Sequence, residues 1–94
     1  MNSFINKGSE DMPNLGKLMK ATRERKGFCQ EEMAIRMKRG RSCISKFEHN
    51  RKIPDVDTFK KWFLETNSAD VAVAYLQGKN EDEILKSIQE INLD

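Results

Sequence analysis

The chain is predicted to be all-α, a compact bundle of about five helices with room for a short sixth at its carboxyl end. Three observations carry this reading. Apolar residues recur three and four positions apart from Leu15 onward, the spacing that lines one face of a helix. Pro13 and Pro54 lie outside the periodic stretches, and Gly27, Gly40 and Gly78 fall between them. With 94 residues, 37% apolar content and seven aromatics, the chain supports one domain with a modest core.

Residues 1–13 mix Asn, Ser, Gly and charge without a sustained period and read as a flexible arm. Asn14 is suited to cap a first helix starting at Leu15, with Leu15, Leu18, Met19 and Thr22 inward and Gly27 as its stop. A second helix is expected from about Gln30 to Met37, with Met33, Ala34 and Met37 on one face. Lys38-Arg39-Gly40 carries no apolar residue and ends in a glycine able to take a positive φ or to leave the backbone bare where two helices meet. A third helix is expected from about Arg41 to His49, with Ile44 and Phe47 inward. Two helices this short are marginal alone, so they must pack on each other and on the rest. Their layout, split by a tight basic turn, is that of a helix-turn-helix.

Asp55, just after Pro54, is placed to cap a fourth helix with Val56, Phe59, Trp62 and Phe63 as its buried stripe. Asn67 or Ser68 starts a fifth, with Val71, Ala74 and Tyr75 inward and Gly78 as its stop. Glu81, Asp82 and Glu83 suit the positive end of a final helix, which carries Ile84, Ile88 and Ile91 with Leu85 and Leu93 beside them. The expected organisation is an arm at 1–13, a helical domain at 14–78, and an amphipathic helix at 79–94.

The formal net charge of +2 hides a division. Residues 17–52 hold twelve Lys or Arg and four Glu, a balance of +8, while residues 53–94 balance to −5. A field so divided draws polyphosphate to the first part and turns the acidic part away. No run of about 18 apolar residues is present, so no membrane span is expected, and the amino terminus lacks the basic-then-apolar order of a secretion signal. Two cysteines and one histidine offer neither a disulfide framework nor a zinc set. No nucleophile motif, phosphate-cradling glycine loop or carboxylate pair is found. The chain reads as a cytoplasmic non-enzyme without metal or cofactor.

Gly27-Phe28-Cys29-Gln30-Glu31-Glu32-Met33-Ala34, then Ile44-Ser45-Lys46-Phe47-Glu48, then Arg51-Lys52-Ile53-Pro54 before Asp55-Val56-Asp57-Thr58-Phe59, together resemble the phage-repressor (Xre/Cro-like) helix-turn-helix family, over about half the chain. The resemblance implies a lambda-repressor-like fold and a sequence-specific regulator of transcription that binds double-stranded DNA. The inferred form is a repressor on an inverted-repeat operator, acting as a homodimer, with activation equally compatible. It also implies roles for particular residues. Arg41, Ser42, Ser45 and Lys46 on the third helix face base edges; Arg41 is assigned to a guanine, against the alternative that Arg41 and Lys46 grip phosphate only. Gln30 approaches a phosphate or is merely solvated, and Lys38, Arg39, Arg51 and Lys52 are the remaining phosphate candidates. Arg23 and Glu48 match a buried ion pair that holds the third helix.

The sequence also departs from the family pattern. Lys38 stands where glycine is usual in the turn, so a left-handed lysine is expected; Arg39 must lay its stem on the core, and Gly40 and Cys29 replace the usual capping Ser or Thr. His49 reads as a rim contact or a bystander. The stripe of Ile84, Ile88 and Ile91 has three open destinations: the chain's own core, a second copy, or a protein partner. The last supports an alternative function, an antitoxin-like or adaptor module whose acidic carboxyl segment grips another protein.

Overall fold

The computed structural model describes residues 14–93, with side chains through Ile88. The arm at 1–13 and the side chains of Ile91 and Leu93 therefore lie outside the described residues. Six helices follow in order, α1 (Leu15–Lys26), α2 (Gln30–Met37), α3 (Arg41–Glu48), α4 (Val56–Glu65), α5 (Ala69–Leu76) and α6 (Glu81–Leu93), and no strand occurs among the described residues. No described helix is long and apolar enough to cross a membrane.

Local chemistry accounts for the boundaries. Asn14 Oδ1 accepts the Lys17 N–H at 3.0 Å, and Gly27 ends α1 at φ 89°. Cys29 caps α2 despite its weak acceptor: its Sγ takes the Glu32 N–H at 3.4 Å while Glu32 Oε1 takes the Cys29 N–H at 3.0 Å, a reciprocal box. Hydrogen bonding from the Cys29 backbone, and then its thiol, holds the Glu32 carboxyl below its ordinary value. Asp55 Oδ1 accepts the Thr58 N–H at 2.8 Å at the start of α4, and Asn80 Oδ1 accepts the Glu83 N–H at 2.9 Å at the start of α6.

Leu18, Met19, Met33, Ile44 and Trp62 are completely buried, with Phe47 and Phe63 nearly so. Trp62 sits edge-on to Phe47 at 6.2 Å and donates its Nε1–H to Met19 O at 3.1 Å, so its one polar atom is satisfied inside the core. Val56 departs from its expected place in the buried stripe, for it is 81% exposed. It is the first residue of α4, and the core reaches that helix only from Thr58 onward; Thr58 and Trp62 take the deep positions, and Phe59 is half-buried against Phe63 and Tyr75.

Helix α6 packs on α1 and α5, with Ile84 and Ile88 each 3% exposed in the same core. These two side chains therefore have no surface left for a second copy or a partner. The α6 start is tied to α1 by Lys17 Nζ, 3.1 Å from Glu81 Oε2, and by the Asn14 N–H, 3.2 Å from Glu81 Oε1. Hydrogen bonding from Lys17 lowers the Glu81 carboxyl below its ordinary 4.5, with the Asn14 N–H adding to it.

Candidate nucleic-acid interface

The turn between α2 and α3 is made by Lys38, left-handed at φ 57°, ψ 46°. The Arg39 N–H donates to Ala34 O at 2.9 Å and the Lys38 N–H to Ile35 O at 3.1 Å, the paired bonds of a Schellman end. Gly40 does not take the positive φ that was one of its expected uses: its φ is −75°, and a Cβ there would meet nothing within 4 Å, so close approach is not its use either. The strained position falls two residues earlier, because the helix-ending bonds require the left-handed residue directly after Met37.

Gly40 also leaves α3 without a side-chain cap at its start. The other end of α3 is held tightly. Arg23 Nε donates to Glu48 Oε2 at 2.6 Å and Nη2 to Glu48 Oε1 at 3.2 Å, both side chains buried, while Nη1 reaches Phe28 O at 2.6 Å. Gln30 joins this pair, donating from Nε2 to Glu48 Oε1 at 3.0 Å. Its amide is turned into the protein and is neither fully solvated nor fully available to a ligand.

Gly16 and Asn50, which the sequence reading passed over, complete the anchor. A Cβ at Gly16 would lie 2.6 Å from Glu48 O and 2.7 Å from Phe47 O, so only glycine lets α1 touch the end of α3. Asn50, left-handed at φ 60°, accepts the Gly16 N–H at 2.9 Å and donates to Asn14 Oδ1 at 2.7 Å. The available signal was Gly16 itself, an isolated glycine inside a helical period.

On the outer side, Arg41, Ser42 and Lys46 are exposed along α3, with Lys38, Arg51 and Lys52 exposed near its two ends in the chain. Among the described residues no carboxylate forms a salt bridge with any of these cations. Ser45 is half-buried, with His49 Nδ1 2.8 Å from its carbonyl oxygen and 3.4 Å from its hydroxyl. Arg39 behaves differently from the other cations. Its stem lies on the core, as expected, with the guanidinium 5.4 Å from the Phe47 ring centre, but Nη2 donates to Thr58 Oγ1 at 2.8 Å. Cys43 Sγ accepts from Arg39 Nη1 at 3.6 Å and Lys52 Nζ at 3.5 Å, so these two cations converge beside the α3 surface.

Fold and site together define a helix-turn-helix protein, with its second short helix gripped from behind and bare and cationic in front. Over 68 residues, 72% of this chain, the sequence is 35% identical to the HTH-type transcriptional regulator ImmR of Bacillus subtilis (strain 168). The resemblance drawn from the motifs thus holds in a particular curated relative. The matched stretch is 51% of that protein, so the chain spans about half the length of its relative. No family model matches the chain, and no solved structure does.

Proposed function

We propose that this protein is a cytoplasmic, sequence-specific double-stranded-DNA-binding regulator of transcription, acting without catalysis or cofactor. It binds an inverted-repeat operator as a homodimer and represses by occupying the site. The observation that carries this is the outer face of α3: Arg41, Ser42 and Lys46 stand exposed with no carboxylate partner among the described residues, on a helix whose opposite side is fixed by a buried ion pair. The similarity to an HTH-type transcriptional regulator supports the same reading.

In this reading the amino-terminal half of α3 enters the major groove. Arg41 presents a planar fork to guanine O6 and N7, worth about 1–3 kcal/mol of discrimination, and Lys46 and Ser42 meet neighbouring base edges. Ser45 is the weakest of the four, being half-buried and close to His49. Lys38, Arg51 and Lys52 neutralise phosphates, each contributing about 0.9 to the slope of log affinity against log salt. Arg39 acts mainly by holding the turn on α4, and Gln30 by steadying Glu48. The adaptor reading loses support, because two of the three residues in its docking stripe are buried in the core.

Selection of bound sites from random duplex DNA at fixed salt tests the proposal. A palindromic consensus is the expected result. Recovery of unselected sequence, or no uptake at low ionic strength, would refute it.

A further inference from the structure

We infer that Asn50, Asn14 and Glu81 are positioning residues for DNA binding: a relay of hydrogen bonds from the start of α6, through the first turn of α1, sets the Arg51–Lys52 segment against phosphate. The inference rests on the DNA reading above and adds to it a coupling between α6 and the phosphate grip.

The segment needs setting because it has little hold of its own. Asn50 is left-handed at φ 60°; its N–H reaches Phe47 O at 3.2 Å and the Arg51 N–H reaches Lys46 O at 2.8 Å, the paired bonds that end α3. Past Arg51 such bonds stop. Among the described residues neither the Lys52 N–H nor the Ile53 N–H has a backbone acceptor, and the next fixed point is Asp55, the cap of α4. Lys52 Nζ lies 3.5 Å from Cys43 Sγ, so the segment runs beside the α3 surface, and its direction there is set by the residue that precedes it.

Asn50 is itself held from behind. Its Oδ1 accepts the Gly16 N–H at 2.9 Å and its Nδ2 donates to Asn14 Oδ1 at 2.7 Å. Asn14 Oδ1 also accepts the Lys17 N–H at 3.0 Å, so one amide oxygen both caps α1 and carries Asn50, using its two lone pairs. The Asn14 N–H in turn donates to Glu81 Oε1 at 3.2 Å, and Lys17 Nζ lies 3.1 Å from Glu81 Oε2. Three elements remote in sequence thus meet at one asparagine. The two ends of the relay are suited to their parts. Burial of Ile84 and Ile88 against the core makes α6 a firm base for Glu81, while a left-handed residue such as Asn50 persists only where its surroundings hold it.

The test is titration of a mixed-sequence duplex at low salt by the wild type, Asn50→Gly, the double variant Arg51→Ala/Lys52→Ala, and all three changes combined, each melted in parallel. Glycine takes the left-handed conformation without strain, so Asn50→Gly removes the two side-chain bonds and keeps the turn. Its duplex affinity is expected to fall about threefold to tenfold, the worth of one hydrogen bond. In the Arg51→Ala/Lys52→Ala background the same change should cost less than about twofold, because nothing is left to position. A second comparison reads the α6 end and leaves the turn untouched, so it carries the test should Asn50→Gly not fold. Glu81→Ala and Glu81→Gln remove the same charge, but only the glutamine keeps an oxygen for the Asn14 N–H; the alanine variant should bind about twofold to threefold more weakly. Equal losses for Asn50→Gly in both backgrounds would make Asn50 a fold residue alone and overturn the inference. Equal affinities of the two Glu81 variants would also overturn it, since the relay would then stop short of α6. Both failures occur with wild-type binding intact. A wild type that takes up no duplex would instead refute the DNA reading, and the positioning role with it.

Discussion

The two ends of α3 are built in opposite ways. Its carboxyl end is fixed by contacts with α1 and α2: the Arg23–Glu48 pair, the Gln30 amide, and a glycine contact that leaves no room for a methyl group. Its amino end begins at an uncapped glycine and carries Arg41 and Ser42 in the open. Neighbouring α2 shows that the difference is not forced by length, since it has the same eight residues and a complete capping box at its start. A helix secured at one end and bare at the other is a rigid probe. It loses little conformational entropy when its free end meets a ligand, because the burial of Ile44, Phe47 and Glu48 has already ordered it.

Breaking the anchored end should have the largest effect. Glu48→Ala leaves the Arg23 guanidinium buried without its counter-charge, a loss of about 3–5 kcal/mol. The melting temperature and the duplex affinity are expected to fall together, as read by circular dichroism and titration. An unchanged melting curve would mean that the pair does not hold α3. Gly16→Ala comes next. The new methyl group meets two backbone carbonyl oxygens, which cannot swing aside as a side chain can, so α1 and α3 separate at a cost of about 1–3 kcal/mol. Wild-type denaturant stability in this variant would show that the contact is slack.

The anchored end was only partly legible in the sequence. Apolar spacing gave the inward faces of α1, α2 and α3, and the motif resemblance paired Arg23 with Glu48. Gly16 and Asn50 were missed because the bond between them spans 34 positions: an isolated glycine in a helical period signals a close approach but not its partner. Gln30 turned inward for a similar reason: its partner is on another helix, and a helix-start glutamine reads the same whether it faces water or a buried carboxylate. Val56 failed differently. Periodicity gives the direction a residue faces but not where a helix leaves the core, and the first two residues of α4 project beyond it. The free end was more legible, because exposed cations on a short helix need no distant partner. There the family resemblance implied the left-handed Lys38, while the residues alone gave Gly40 a conformational use it does not have.

Smaller effects sharpen the contrast. Lys38→Gly relieves a left-handed side chain and should stabilise the fold by about 1 kcal/mol, while lowering the salt slope of duplex binding by about 0.9 if its ammonium neutralises one phosphate. Higher stability with an unaltered slope would remove Lys38 from the interface. The smallest expected effect lies away from both ends of α3. The Glu81 carboxyl titrates below its ordinary 4.5 when folded, so the stability it lends is present above that value and is lost as the pH falls through the lowered folded value. Hydrogen exchange at the start of α6 should quicken over that acid range, and Glu81→Gln should flatten the response. An equal acid response in the variant would assign it to another carboxylate.

The central claim is that the free end of α3 reads sequence. The most direct measurement is the affinity of wild type and Arg41→Ala for a selected operator and for every single-base-pair variant of one half-site, at one salt concentration. Arg41→Ala is expected to lose discrimination at one G·C pair, about 1–3 kcal/mol, and to keep the wild-type preferences elsewhere. A uniform loss across all variants would contradict it, leaving Arg41 as a phosphate clamp and α3 without its reading role.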